Sequence, residues 1–496
     1  MTTTEQVTVT VTAESMSSML ERQRAAFVAD GPPDVALRRN RIDRLMALVL
    51  DNVDDFVDAM GRDFGTRPKQ GSLFTEIMGM ISVIEHTRSH VGQWMKPQRL
   101  MRPARMFGLR AEVEPTPLGV VGVIGPWNFP LNLVVLPAVA AFAAGNRVMI
   151  KMSEVTPRTA ELMRRLSAEY FEQTELCVVT GGADVAAEFA ALPFDHLFFT
   201  GSPSVGVLVQ RAAAANLVPV TLELGGKNPV VVGPGADMRR AATRIAQGRM
   251  INGGQVCVCP DYVFVPAARI DAFVAVARET LQAMFPTIVA NDDFCSSVNE
   301  ANFERVVGLI EDARAKGARV ESVAPAGESL PDPGTRKIAP TILRDVDDSM
   351  LIASEETFGP VLTVRPYEKL ADVVEYVNAR PAPLVTYWFG PDDDDFRSFV
   401  RQTRSGGVAR NDFAAQMIPS AAPFGGVGRS GMGAYHGKAG FDAFSHYRTV
   451  VGSDLPFTIT GRAAPPFPLT MRATTALALR IAHRRTHRRL SRLRNR

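Results

Sequence analysis

Apolar positions recur at three- and four-residue spacing through the first hundred residues. The pattern is clear in "RQRAAFVAD", in "ALRRNRIDRLMALVLDNVDDFVDAMGRDFG" and in "TEIMGMISVIEHTRSHVGQWM", and it predicts helices. "RPARMFGLRAEVEPTPLG" breaks the rhythm; it is polar, interrupted by proline, and reads as an extended arm or hairpin. From Gly119 short β-branched runs alternate with helical stretches. "GVVGVIGP", "RVMIK", "LCVVTG" and "HLFFTGS" read as strands, separated by "LPAVAAFAAG", "TPRTAELMRRLSAEYF" and a helix around Asp184 to Leu192. Strand and helix joined by short loops predict a parallel sheet with helices on both faces. After Glu223 the habit repeats: "PVVVG", "MRRAATRIAQGRM", "YVFVP", "RIDAFVAVARETLQAM". The fold class expected is α/β, with a second α/β domain following the first.

Length agrees, since 496 residues suit about two large domains. The N-terminus lacks the basic start and apolar block of a secretory signal. No apolar run reaches the roughly 18 residues of a membrane span. Four cysteines make no disulfide framework, and the expected setting is cytoplasmic. The net charge of +3 hides an asymmetry. From Leu455 onward there are ten arginines and no acids, which leaves 45 basic against 52 acidic residues in the body, or about −7.

Four stretches carry candidate chemistry. In "NGGQVCVCP" two cysteines, Cys257 and Cys259, follow a glycine pair. A metal site needs about four ligands, and the closest histidines in sequence are His196 and His436, so no metal is expected. A redox pair, a core cysteine or a nucleophile remain. Gly253 and Gly254 permit a tight turn that exposes amides, beside which a thiol ionises more easily. In "TLELGGKNP", Glu223 sits between apolar residues at a strand end; burial raises a carboxyl pKa and suits a general base, the alternative being an edge-strand surface residue. In "VIGPWNFPLN", Asn128 lies in a rigid turn after a strand, either donating to an oxyanion or capping backbone. In "FFTGSPSVG", Gly201, Ser202 and Gly206 straddle a strand-to-helix turn, either an ordinary loop or one offering amides to a pyrophosphate.

Together "PWNFP", "FTGS…G", "LELGGK", "GGQVC" and "EETFGP" resemble the aldehyde dehydrogenase superfamily, in that family's order and from about Ala25 to Val450. "PFGGVGRSGMGAYHGKAGFDAFSH" resembles its class three branch, which includes fatty and coniferyl aldehyde dehydrogenases. The resemblance implies Cys257 as nucleophile, Glu223 as general base, and Asn128 with the Cys257 amide as oxyanion hole. It implies Lys151 and Glu154 on the adenosine ribose and Gly201, Ser202 and Gly206 at the pyrophosphate. Glu356 and Phe358 would hold the nicotinamide ribose and ring, and Trp127 is a further cofactor-binding residue. NAD is the expected cofactor, NADP the alternative, because Glu154 repels a 2′-phosphate.

The implied organisation is a Rossmann-like cofactor domain (1–98 and 116–224), a catalytic domain (225–424), a small β oligomerisation arm (99–115 and 425–454) and a basic tail (455–496). A homodimer is expected. The substrate class implied is a medium- or long-chain aliphatic or an aromatic aldehyde, coniferyl aldehyde among them, oxidised to the free acid. A coenzyme A-acylating relative and a silent scaffold are the alternatives; Glu223 speaks against the first, and the retained trio Cys257, Glu223 and Asn128 against the second. Met152, Val256, Arg410 and Gln416 depart from the family pattern, and Arg410 and Gln416 are expected near the substrate mouth. For the tail three readings compete: a solvated basic segment, a membrane-surface helix with Leu477, Ile481 and Leu490 on one face, and nucleic-acid contact. The lack of an aromatic residue after Phe467 counts against the last.

Overall fold

The computed structural model describes residues 13–100, 108–454, 458, 461 and 464–494. Two α/β layers make up the large compact unit, Met1–Met95 with Pro115–His446; Lys96–Glu114 with Tyr447–Arg496 form a second unit. In chain order the strands are β1 (Gln98–Leu100), β2 (Leu109–Pro117), β3 (Val120–Ile124), β4 (Arg147–Lys151), β5 (Leu176–Val179), β6 (His196–Gly201) and β7 (Val220–Leu224). They continue with β8 (Asn228–Val232), β9 (Pro260–Pro266), β10 (Arg319–Ser322), β11 (Thr341–Arg344), β12 (Val361–Tyr367), β13 (Val385–Phe389), β14 (Gly407–Arg410), β15 (Gly431–Met432) and β16 (Ser445–Ser453).

The first sheet runs β15-β7-β6-β3-β4-β5, parallel except for β15. The second runs β10-β11-β12-β9-β8-β13-β14, parallel except for β10. Both are the α/β sheets expected from the alternation. β3 and β4 are buried at every residue, which explains why they read as unbroken apolar runs rather than as alternation. The helix Asn132–Ala144 has almost no polar side, and all but its first residue are buried between layers. It ends at Gly145, whose φ of +95° closes a left-handed cap.

The long helical stretch read after "ALRRN" is two helices, Val35–Asp51 and Val53–Phe64. Asn52 breaks it: at φ −122° it leaves the helical region, and its side-chain amide donates to the Leu48 carbonyl, 2.9 Å away. Hydrophobic spacing alone hides such a break, because both helices bury the same side.

The arm also differs from expectation. β1, β2 and β16 do form a small antiparallel sheet, although residues 101–107 lie outside the described residues. Residues 425–446, assigned above to the arm, belong to the large unit. There β15 pairs with β7, Gly431 opposite Glu223, at a distance only glycine tolerates: a Cβ on Gly431 would stand 2.5 Å from the Leu222 carbonyl oxygen.

The tail forms one exposed helix, Leu469–Arg494. At 3.6 residues per turn, Leu477 and Ile481 share a side with Arg484 and Arg488, while Leu490 falls roughly 140° or more away. The three residues therefore do not form one apolar face, and the membrane-surface expectation loses the feature it needed. Among the described residues no helix is long and apolar enough to cross a membrane.

Candidate active site

In a parallel sheet every strand delivers its carboxyl end to the same edge, and ligands bind in the crevice beyond it. Here β3 runs into Gly125–Asn128, β4 ends at Lys151, β6 ends at Gly201 and β7 ends one residue past Glu223. The second sheet faces them with its amino ends: Cys257 precedes β9, and Glu356 and Phe358 precede β12. Between the two lies a cleft of about 1370 Å³. Asn128, Glu223, Cys257, Trp127, Lys151, Glu154, Gly201, Ser202, Glu356 and Phe358 all line it.

The cysteine sits on a turn that the chain reaches through three left-handed residues, Asn252, Gly253 and Gly254, at φ +50°, +63° and +78°. A Cβ on Gly254 would collide with the Gly359 carbonyl oxygen. Gln255 anchors the turn from below. Its amide donates to the carbonyls of Asn252 (2.9 Å) and Ser296 (3.0 Å) and accepts from the Val298 N–H at 3.0 Å. From above, Asn228 Nδ2 donates to the Cys257 and Cys259 carbonyls at 2.8 and 3.0 Å, and Tyr387 Oη donates to that of Val258 at 2.6 Å. The two cysteines consequently diverge. Cys257 is half-buried on the cleft; Cys259 is buried and its thiol faces the Gly248 and Arg249 carbonyls. All four cysteines are free thiols, so the pair is no disulfide.

The expectation that Cys257 ionises easily is not met. The amides of Cys257 and Val258 do favour the thiolate, but burial, followed by the fields of Glu356 and Glu223, pushes the thiol up to about 12. Local amides were visible in the sequence; the two carboxyls and the apolar walls were not.

Asn128 is buried and doubly fixed. Its Nδ2 donates to the Gln255 carbonyl at 3.2 Å, and its own carbonyl accepts from Asn252 Nδ2 and Arg67 Nη1, both at 3.1 Å. An amide nitrogen carries two hydrogens, so one remains without an acceptor among the described residues. Arg67 is itself held by a fully buried ion pair with Glu76 (3.1 Å), whose other oxygen accepts from the Asn132 N–H at 2.8 Å. Glu76 lies on a one-turn π-helix, Leu73–Met78, and Arg67 stacks over Phe64.

Glu223 is buried at the end of β7 and neither carboxyl oxygen has a partner among the described residues. Burial alone holds its pKa well above the usual carboxylate range. Glu356 is pushed up to about 8, by burial first and then by Asp261. Arg305 grips the Glu356 and Thr357 carbonyls at 3.1 and 2.7 Å, and Phe358, at φ +47°, sets its ring edge-on to Trp127 at 5.3 Å.

Lys151 is buried, donating to Glu154 at 3.1 Å and to the Gly181 carbonyl at 2.7 Å. Ser202 caps the helix Pro203–Ala214, accepting from the Val205 N–H at 3.4 Å. Gly206 does not line the cleft. It lets that helix approach β7, since a Cβ there would meet Leu224 at 2.7 Å. Arg410 and Gln416, expected near a substrate mouth, do not line the cleft either; Arg410 donates to the Gly390 carbonyl at 3.0 Å.

The chain matches the model of the aldehyde dehydrogenase family over residues 2–450. It is 46% identical to a coniferyl aldehyde dehydrogenase of Pseudomonas sp. (strain HR199 / DSM 7063), covering 89% of this chain and 91% of that protein. It is 35% identical to the dimeric NADP-preferring aldehyde dehydrogenase of Rattus norvegicus, over 92% and 99% of the two chains. The substrate-bound structure of Staphylococcus aureus AldH superposes with a TM-score of 0.86 at 32% identity, over 93% and 99%. The chain belongs to the aldehyde dehydrogenase family.

As an NAD(P)-dependent aldehyde dehydrogenase it needs room for a dinucleotide, and the cleft provides it. Gly225 leaves open the space against the Glu356 carboxyl that a Cβ would fill, and a buried lysine beside an exposed carboxylate ends β4. The residues present fit the cofactor.

Sequence reasoning missed the supports: Arg67, Glu76, Asn252, Asn228 and Tyr387. Asn228 stood inside a quoted motif, yet nothing local shows that it bonds two carbonyls near position 258. Removing one partner of a buried ion pair strands the other charge. Arg67→Ala and Glu76→Gln are each expected to lower stability by about 3 kcal/mol, read as a depressed unfolding midpoint. Cys259→Ser is expected to leave the first turnover unchanged.

Proposed function

We propose that Cys257 attacks the aldehyde carbonyl, Asn128 steadies the oxyanion, and Glu223 activates the water that releases a free carboxylic acid. The observation that carries this reading is the free capacity left in the cleft. On the same cleft as Cys257, and among the described residues, Asn128 Nδ2 has one acceptor for its two hydrogens and the Glu223 carboxyl has no donor. Buried polar groups rarely stay unpaired unless a ligand or water completes them.

Attack forms the Sγ–C bond and moves charge to the former carbonyl oxygen. A donor fixed there before the reaction is worth about 3 kcal/mol in the barrier. A dinucleotide held by Lys151, Glu154, Glu356 and Phe358 would supply the hydride acceptor, and loss of hydride from the thiohemiacetal carbon leaves a thioester on Cys257. Water then adds to the thioester carbon, its proton passes to Glu223, and the C–S bond breaks. Burial pushes the thiol up, and its proton leaves for solvent water as the Sγ–C bond forms, so the negative charge passes to the carbonyl oxygen.

Glu223→Gln should spare the first turnover of dinucleotide reduction and slow the steady state. Since burial raises the Glu223 pKa, its basic form grows as pH rises, so kcat climbs with pH and that limb flattens in the Gln variant. Equal loss of first turnover and steady state, or an unchanged limb, would remove Glu223 from this role. Cys257→Ser should abolish both phases.

The substrate reading is an aromatic or a medium- to long-chain aliphatic aldehyde. Its support is the 46% identical relative named for coniferyl aldehyde and a cleft whose lining includes the apolar Leu133 and Phe424. NAD is the favoured dinucleotide because the Glu154 carboxylate beside Lys151 opposes a 2′-phosphate. An aldehyde panel run with each cofactor checks both: kcat/KM should be higher for coniferyl-type and long-chain aldehydes than for acetaldehyde, and higher with NAD than with NADP.

A homodimer completes the reading. β16 is an edge strand with Val450 and Val451 exposed, a surface that pairing covers. Light scattering should give twice the chain mass; the single mass would overturn it.

A further inference from the structure

We propose that the hydroxyl of Tyr435 holds the water that hydrolyses the Cys257 thioester. The inference rests on the two-step reading above and adds a residue to its second half.

The argument starts from the face of the first sheet. In the parallel pair β6–β7, Phe198 lies beside Thr221 and Thr200 beside Glu223. Side chains two residues apart share a face, so Phe198, Thr221 and Glu223 project to the same side. The bond between His196 Nε2 and Thr221 Oγ1, 2.9 Å, confirms the shared side. Tyr435 packs on that face, its ring edge-on to Phe198 at 5.0 Å. It therefore stands about one pleat from Glu223.

The ring cannot wander. Tyr435 and Phe424 exchange two backbone hydrogen bonds, both 2.8 Å, and Phe424 and His436 close on the ring at 5.8 and 4.3 Å. Only 1% of the residue is exposed, yet it lines the same cleft as Cys257 and Glu223. Among the described residues the hydroxyl has no hydrogen-bond partner. Its acidity is suppressed by burial and then by the fields of Glu223 and Cys257, so the phenol stays neutral and feels both groups.

A hydrolytic water must keep one lone pair free for the acyl carbon. It does so when both its hydrogens are engaged. Glu223 accepts one and takes it as a proton in the reaction; Tyr435 Oη accepts the other. The oxygen then points its lone pair toward the carbon on Cys257. The C–O bond forms, the C–Sγ bond breaks, the acid departs, and the proton on Glu223 returns to the sulfur or to solvent. Atoms and charge balance with water as the only co-reactant. Misplacing such a nucleophile costs roughly tenfold to a hundredfold.

Tyr435→Phe keeps the ring and deletes an oxygen without a partner among the described residues, so the hydrogen bonds around it are unchanged. Rapid-mixing kinetics should show the first turnover of dinucleotide reduction within about twofold of wild type and kcat lowered roughly tenfold to a hundredfold. The acylated enzyme should accumulate in quenched samples by mass. Hydroxylamine, which attacks the thioester without a positioned water, should restore much of the turnover. Wild-type kcat in the variant overturns the inference, as does a first turnover slowed in step with kcat. If wild type itself yields no acylated enzyme with any aldehyde, the two-step reading fails; if it does and Tyr435→Phe matches it, only the role of Tyr435 fails.

Discussion

The site depends on a backbone that is forced to double back. Asn252, Gly253 and Gly254 take left-handed angles in succession, and Gly254 leaves no room for a side chain against the Gly359 carbonyl. This reversal lets Cys257 leave the core and present its sulfur to the cleft while Cys259, two residues on, stays inside. Left-handed backbone is costly for asparagine, and the cost is offset by what its side chain then does. Asn252 Nδ2 ties the Gln255 and Asn128 carbonyls together, at 3.2 and 3.1 Å. The same residue that permits the turn therefore joins it to the opposite wall.

That junction explains where the charged supports went. The Asn128 carbonyl accepts Arg67 as well as Asn252, and a guanidinium buried that deeply requires Glu76. The ion pair adds little net stability compared with an apolar core. What it supplies is geometry: Arg67 and Asn252 hold the Asn128 backbone carbonyl, while the Asn128 amide is held by the Gln255 carbonyl. On the cofactor side Asp261 plays a comparable part, accepting from Lys227 and from the Thr357 N–H at 2.9 Å, which fixes the segment carrying Glu356 and Phe358.

The sequence was most legible where one periodicity rules over many residues. The buried strands are legible at nearly their observed extents, and the motif residues of both sheets, Gly206 apart, line one cleft; the first helix, by contrast, begins at Ala13, well ahead of the periodic stretch that marks it. The sequence was least legible where a long-range partner decides. The break at Asn52, the return of residues 425–446 to the large unit, and the Arg67–Glu76 pair all turn on contacts with distant segments. Tyr435 stood in "GAYHGK" in plain view, but only the register of β6 and β7 brings it near Glu223. The thiol acidity was misjudged for the same reason, since burial outweighed the local amides.

One electrostatic consequence organises the chemistry. Cys257, Glu223 and Glu356 are three acids around one apolar volume, and each is held above its ordinary range, chiefly by burial. The two carboxyls raise the Cys257 thiol, and burial disfavours charge on all three. The cleft tolerates few negative charges at once, and each step must move a charge rather than create a new one. The charge left by the thiol proton travels to the carbonyl oxygen, where Asn128 receives it. In hydrolysis the water proton goes to Glu223 as the oxyanion forms again. A neutral phenol at position 435 suits such a site better than another ion: it orients a water by hydrogen bonding and adds nothing to the charge that the apolar walls must carry.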